Sequence, residues 1–418
     1  VDEADAPAGY GGQTLAHDGY RWALLGGLWL VYFCFGLIAA SMAPLIPAIR
    51  EDLGIDNAAM GAILGAWPLV YIGASIPCGI LLDRLSPRIS LLIGCGIIGL
   101  SSLARGLAEN DLSLFVAVGL FGIGGPLISA GAPKLAAQWF TGQDRGFAIG
   151  VYSTGPALGS AAALALTASV LMPLLGENWR LVMFVYAGVM LVAGAAWFLI
   201  ASHPNADSRA GKGDSHTAFS PRALLDIVSL PGVQILLAMA VGIFFVNHGM
   251  NNWLPEILRH KGMDAVQAGY WASLPTIVGI FGSLIVPRYA TPARRLALIA
   301  LIFLGIFAAG LLLLGVSGPA LLAPLVLLGV ARTSATAIVM LLLIELPALD
   351  KRHHGLLGGI FFVAAEIGGV LGPLTIGVLS EASGAFTSSL WGIAAISALL
   401  LVLTRLYARH DGPGLGGR

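Results

Sequence analysis

Charged side chains are scarce in this chain. Only 11% of its 418 residues are charged, against 57% hydrophobic, whereas an average soluble domain carries about 25% charged residues. So few charges cannot coat the water-facing surface of the two or three soluble domains that this length could hold, so a bilayer must solvate most of the chain. Charge of one sign is also missing: 22 Lys and Arg balance 22 Asp and Glu, which leaves no global basic field for nucleic acid. Cysteine is almost absent. Cys34, Cys78 and Cys95 sit inside apolar stretches, read as small packing residues, and argue against a disulfide framework or a metal cluster. The chain has no Gly-x-Ser-x-Gly elbow, no His-Glu-x-x-His pair and no Walker lysine loop. Gly122-Ile123-Gly124-Gly125 falls within a span and reads as a helix crossing. No enzyme and no cofactor are expected, and energy must come from gradients. The N-terminus lacks the basic-then-apolar order of a cleaved signal, and residues 1–20 are expected to be a disordered cytoplasmic tail.

What the chain does have is long apolar stretches. A spanning helix needs about 20 predominantly apolar residues. Twelve such stretches recur at 22–49, 58–82, 89–108, 112–139, 146–174, 180–202, 233–256, 264–287, 295–316, 319–347, 354–380 and 385–407. They are Gly-rich and lack the roughly ten-residue alternation of barrel strands, so helices must satisfy their backbones in lipid. With both termini placed in the cytoplasm, fifteen of the 22 basic residues fall on the inner side, and Arg50, Arg105, Arg180, Arg259 and Lys261 on the outer. That bias predicts an N-in, C-in topology. The longest polar interruption, 203–230, divides the chain into six-span bundles at 21–202 and 231–408, with a short tail at 409–418. The halves echo each other. Leu45-Ile46-Pro47-Ala48-Ile49 ends span 1 as Trp253-Leu254-Pro255-Glu256-Ile257 ends span 7. Trp67-Pro68 matches Leu274-Pro275 with a one-residue offset, and Gly146, Gly150 and Gly159 register with Gly355, Gly359 and Gly368. The expected fold is all-α: twelve transmembrane helices in two pseudo-symmetric bundles, an arrangement typical of secondary transporters with a site near the midplane.

The stretch Gly79-Ile80-Leu81-Leu82-Asp83-Arg84-Leu85-Ser86-Pro87-Arg88 lies between spans 2 and 3. It resembles the loop signature of the major facilitator superfamily. The resemblance implies that Asp83, Arg84 and Arg88 form a cytoplasmic gate that latches the halves against the start of span 11 near His354, with Gly79 allowing close helix approach. The plainer reading is solvated loop charge. Tyr289-Ala290-Thr291-Pro292-Ala293-Arg294-Arg295, the counterpart in the second half, has no Asp, so the latch is expected to be one-sided. Gly150-Val151-Tyr152-Ser153-Thr154-Gly155-Pro156-Ala157-Leu158-Gly159 resembles the superfamily's Gly-Pro-Gly element, which is associated with antiporters but equally explained by close helix packing with a bend at Pro156. A narrower resemblance rests on Leu103-Ala104-Arg105, Pro133-Lys134-Leu135 with Trp139-Phe140, and Asn252-Trp253-Leu254-Pro255-Glu256-Ile257-Leu258. These look like the bacterial branch that carries cyanate, nitroimidazoles and related small anions.

Ionisable groups inside spans carry the functional reading, because each costs at least about 2.5 kcal/mol at the bilayer centre and usually faces the bundle interior. Arg332 lies roughly 21 Å along span 10 and Glu366 roughly 18 Å along span 11, at 1.5 Å per residue. Arg332 would hold an oxyanion in its planar fork, and Glu366 would be a proton-coupling acid; the alternative is a permanent Arg332 to Glu366 ion pair that only fixes packing. Arg332 is expected to face a watery crevice. Lys134, about 9 Å from the inner end of span 4, would either meet an anion there or snorkel. Asn247, His248, Asn251 and Asn252 form an arc on span 7 too polar for lipid. Unwinding near Gly249 and Pro255 would make that helix an outer gate, with His248 a proton carrier, a substrate donor or a packed neutral ring. Tyr32, Tyr71 and Tyr152 would line a polar cavity or pack. Trp22, Trp29, Trp179 and Trp253 lie toward span ends and read as interfacial anchors. The sequence therefore predicts a proton-coupled transporter of a small anion working by alternating access in a bacterial inner membrane. A proton-antiporting drug or metabolite exporter is the alternative. The expected partners are an anionic small molecule, protons and the lipid bilayer, with the chain acting as a monomer.

Overall fold

Among the residues described by the computed structural model, 10–206, 226–346 and 354–411, twelve helical spans are long and apolar enough to cross a membrane. They are α1 (Gly19–Leu53), α2 (Asn57–Leu82), α3 (Pro87–Gly106), α4 (Asp111–Trp139), α5 (Gly142–Leu174), α6 (Trp179–Ala201), α7 (Pro231–His260), α8 (Ala265–Tyr289), α9 (Arg295–Gly315), α10 (Gly318–Ile344), α11 (Leu357–Ser383) and α12 (Thr387–His410). The sequence boundaries agree to within a few residues. The first helix starts earlier than expected: residues from Tyr10 onward are helical, where a disordered tail was predicted. Once a span has nucleated, adding residues to its end costs little, because each gains a hydrogen bond for one fixed pair of dihedrals. Residues 1–9, most of the linker (207–225) and the last seven residues lie outside the described chain.

Helix ends follow local chemistry. Asp56 caps α2 by accepting from the Ala59 N–H at 2.7 Å, Asn110 and Ser113 form a reciprocal capping box on α4, and Asp264 accepts from Gln267 N–H. Such caps satisfy N–H groups that the helix itself cannot. Pro44 and Pro47 break α1 near its end, where Ala43–Leu45 tightens into a single 3-10 turn before the helix resumes at Ile46. Pro lacks the donor needed to continue.

The two halves repeat one packing plan. In the first, α1 lies on α5, α2 on α4 and α3 on α6; in the second, α7 lies on α11, α8 on α10 and α9 on α12. The repeat extends to single atoms. A Cβ added at Gly159 of α5 would lie 1.9 Å from the Phe33 carbonyl oxygen of α1, and one added at Gly368 of α11 would lie 1.9 Å from the Val241 oxygen of α7. The register that pairs Pro47 with Pro255 also pairs Phe33 with Val241. Only glycine permits backbones to touch this closely, the main source of helix association in lipid.

Between the halves, α2 packs on α11 and α5 on α8. We call the end of the bundle that carries the 203–230 connection the linker end, and the other the far end. The close approaches between halves gather toward the far end. A Cβ on Gly61 would meet Pro373 O at 2.6 Å, on Gly377 it would meet Asn57 O at 2.3 Å, and on Gly269 it would meet Leu164 O at 2.4 Å. Toward the linker end of the same helices, Gly73, Gly79, Gly358 and Gly359 would meet nothing within 4 Å. The halves are therefore clamped at the far end and separated at the linker end.

Candidate functional site

The clamp has a charged component. Glu381, near the end of α11, accepts the Asn57 backbone N–H at the start of α2 at 2.9 Å, which places a carboxylate on the positive end of a helix from the opposite half. A cavity of about 210 Å³ lies at this seam, lined by Arg50, Asn57, His260, Ser380 and Glu381 among others.

Midway through the spans, polar groups of the second half converge. Arg332 of α10 is 4% exposed. It donates from Nη1 to the Asn247 carbonyl at 3.2 Å and from Nη2 to Asn251 Oδ1 at 2.8 Å. Asn247 and Asn251 stand one turn apart on α7, so the same face serves both bonds. Among the described residues, no carboxylate lies within 4 Å of Arg332. The alternative of a permanent Arg332 to Glu366 ion pair is thus not formed: the guanidinium is held by amides of α7, while Glu366 stands beside His248.

Glu366 of α11 is 5% exposed. Its Oε2 stands 3.7 Å from His248 Nε2, too far for a hydrogen bond, and has no hydrogen-bond partner. The His248 ring lies between two aromatics: Phe244 of the same helix, stacked at 5.5 Å, and Trp67 of α2, tilted at 5.0 Å. Gly369 leaves room for this meeting, since a Cβ there would stand 2.6 Å from Glu366 Oε2 and 3.2 Å from Pro68 Cβ.

Arg332 is buried in this conformation, with Asn247 and Asn251 holding the guanidinium. Span 7 departs from expectation. It runs as one helix through Gly249 and Pro255 to His260, because Gly249 is occupied by close packing against Ile376 and Gly372 of α11, which supports the helix where unwinding was predicted. Asn252 does not join the Arg332 cluster but donates to the His248 carbonyl one turn back.

Tyr32, Tyr71 and Tyr152 come together in the first half. The Tyr32 hydroxyl reaches the Ile128 and Ser129 carbonyls of α4, both at 3.2 Å, Tyr71 shares a 2.8 Å hydrogen bond with the Ser129 hydroxyl, and Tyr152 meets Tyr32 edge-on at 5.2 Å. Lys134 is not brought to either cluster. Its Nζ donates to the Leu82 carbonyl at 2.8 Å, which places it over the C-terminal end of α2, where a cation is favoured.

At the linker end, a Cβ added at Gly79 would meet nothing within 4 Å. Arg84 is exposed, and Arg88 lies over the Phe198 ring at 4.5 Å while its carbonyl accepts from Trp197 Nε1. The Asp83 and His354 side chains lie outside the described residues. Of the predicted interfacial tryptophans, Trp22 is 41% exposed. The other three turn inward to protein acceptors: Trp29 to Thr154, Trp179 to Asp52 and Trp253 to the Pro373 carbonyl. An indole N–H that can reach such an acceptor need not seek the membrane surface.

Sequence reading overlooked Trp67, Phe244 and Ser129 as site residues. Trp67-Pro68 stood out only as an internal repeat, and an isolated serine within a helix gives no signal of a partner on another helix.

Comparison with known proteins agrees with this architecture. The sequence model described as Major Facilitator Superfamily matches residues 28–352. The chain is 24% identical over 401 residues to a D-galactonate transporter of Escherichia coli O6:H1, covering 87% of this chain and 91% of that protein. It is 24% identical over 414 residues to a probable sulfoacetate transporter of Cupriavidus necator, covering 91% and 94%. A solved bacterial homologue of the human lysosomal transporter Spinster, in an inward-facing, unoccupied conformation, superimposes with a TM-score of 0.76 at 17% identity, covering 94% of this chain and 97% of that one.

Proposed function

We propose a cargo and a mechanism from one premise: the chain belongs to the Major Facilitator Superfamily. The cargo is a small anion, moved with protons by alternating access between the two halves, and Arg332 is its binding cation. The observation that carries this reading is the burial of the Arg332 guanidinium against neutral amides with no carboxylate in reach. An isolated buried cation costs several kcal/mol, and an oxyanion arriving at its planar fork offsets that cost with charge-assisted hydrogen bonds. The similarity to transporters named for D-galactonate and sulfoacetate supports the same class.

Glu366 and His248 form the proton-handling pair of this mechanism. The vacant Glu366 Oε2 and the nearby imidazole give a proton two sites one short step apart. Both lie where α2 and α11 cross between the halves, so protonation there changes the charge at the crossing. Loaded and empty states then favour different openings, which a gradient requires for net flux. With the linker end facing the cytoplasm, as the positive-charge bias predicts, the conformation described here is inward-facing. The remaining elements of the reading are a bacterial inner membrane, both termini cytoplasmic, a monomeric chain and the Asp83, Arg84 and Arg88 latch, which would close the linker end in the opposite state.

Reconstitution into proteoliposomes tests the reading directly. Uptake of an organic anion driven by an inward proton gradient, lost in Arg332→Ala, is the expected result. Anion-independent binding of neutral or cationic drugs with proton exchange would overturn it in favour of an exporter.

A further inference from the structure

The two faces that meet at the midplane differ in chemistry. Among the described residues, apart from arginine Nε atoms near helix ends, the buried side-chain polar atoms without partners are Asn247 Oδ1, Thr276 Oγ1 and Glu366 Oε2, all in the second half. In the first half, the polar groups of three rings are already engaged. Tyr32 is bonded to two α4 carbonyls, Tyr71 to Ser129 and the Trp29 indole to Thr154.

Rings running from Tyr152 to His248 form a continuous path. Tyr152 touches Tyr32, Tyr32 touches Phe35, Phe35 touches Phe121, Phe121 touches Trp67, and Trp67 touches His248, with centroids 5.0 to 6.3 Å apart. The path continues through Phe244 to Phe362 in the second half. Phe35, Trp67 and Phe244 remain only half-buried within it, so ring surface is left uncovered along a path that passes the His248 and Glu366 pair.

From this asymmetry we infer that the cargo's anionic head is joined to a flat, apolar or aromatic body rather than to a chain of hydroxyl groups. The inference rests on the anion reading above and narrows it. A polyhydroxylated acid leaving water must find a partner for each hydroxyl, and each one left unmatched carries a desolvation penalty. The ring-lined face offers few such partners. An aryl or other unsaturated carboxylate or sulfonate meets both faces: its head reaches the guanidinium, and its body stacks offset or edge-on against Trp67 and Phe244.

The test is isothermal titration of the purified full chain with four anions, benzoate, benzenesulfonate, D-galactonate and sulfoacetate, and with neutral benzamide. Benzoate or benzenesulfonate is expected to bind at least about tenfold tighter than D-galactonate or sulfoacetate, a preference of the order that ring stacking and apolar burial supply, while benzamide does not bind. Trp67→Leu is expected to weaken the aromatic anion several-fold, and Trp67→Phe, which keeps a ring, to retain it. D-galactonate or sulfoacetate binding tighter than the aryl anions overturns this inference and leaves the anion reading intact. Benzamide binding as well as benzoate, or no anion binding at all, overturns both. Unchanged benzoate affinity in a folded Trp67→Leu protein also overturns the inference.

Discussion

The Trp67 indole of α2 lies 5.0 Å from the His248 imidazole of α7, tilted by 34°, and among the described residues it is the ring contact that joins the two halves. Glu366 of α11 stands 3.7 Å from the same imidazole on its Nε2 side. One histidine thus touches the first half through its ring and the titratable carboxyl through its edge. In the proposed mechanism, a proton arriving at this pair would act at the interface that separates when the far end opens.

On the proposed reading, Arg332 should govern binding more than folding. Arg332→Ala should reduce anion affinity by about 2 kcal/mol or more, as for loss of one partner of a buried charge contact. Arg332→Lys should recover only part, because an ammonium lacks the planar fork. Arg332→Met should leave the empty protein as heat-stable as the parent or more so, since an uncompensated buried charge is removed and its volume retained. Titration and thermal unfolding of the three variants measure both effects.

Glu366→Gln should separate binding from coupling. The amide keeps the size and removes the titratable proton, so exchange of labelled anion across liposomes should persist while accumulation driven by a pH gradient is lost. In the parent, accumulation should grow as the outside is made more acid relative to the lumen. A variant that still concentrates anion against its gradient would exclude Glu366 from the coupling step.

The carboxylate of Glu381 on the α2 N-terminus should bias the protein toward the far-end-closed state. Glu381→Gln retains the acceptor but loses the charge, and should raise the far-end-open population about two- to fivefold at low salt, the size of an exposed charge-dipole interaction. High salt should shrink the difference. Spin labels placed on the far ends of α2 and α11 would report the change as a longer distance.

Gly159 and Gly368 should be intolerant of even one methyl group. Either glycine changed to Ala brings a Cβ within 1.9 Å of a carbonyl oxygen, so thermal stability should fall by about 1–3 kcal/mol, the usual cost of overpacking. Gly359→Ala meets nothing within 4 Å and should be neutral or stabilising in this conformation, since Ala favours a helix interior over Gly by about 1 kcal/mol. A matching loss in all three would show that the close contacts at Gly159 and Gly368 are not what the substitutions measure.

Much of the architecture was legible because the bilayer imposes length and polarity on every span. Twelve apolar stretches and the repeat relating Gly159 to Gly368 are one-dimensional patterns, and each has its counterpart in the folded chain. The site was legible only in part. Arg332, Glu366, His248 and the paired asparagines stood out because polar groups in spans are costly. Trp67 and Phe244 did not, because an aromatic residue in a span looks the same whether it packs, anchors or lines a cleft. Trp253 was misread for the same reason: its position near a span end suggested the interface, whereas the fold supplies it with the Pro373 carbonyl.

The sequence by itself determined that this chain lives in lipid, how many times it crosses, and which rare ionisable groups must be shielded. Each of these follows from the transfer cost of residues taken a span at a time. Tertiary structure alone decided which partner each group found. Arg332 and Glu366, which could have neutralised each other, are kept apart because α7 places its amides on the guanidinium and its imidazole beside the carboxylate. Pairing across helices depends on rotation and depth fixed by backbone contacts at glycines far along the chain, and no local pattern of residues records those angles.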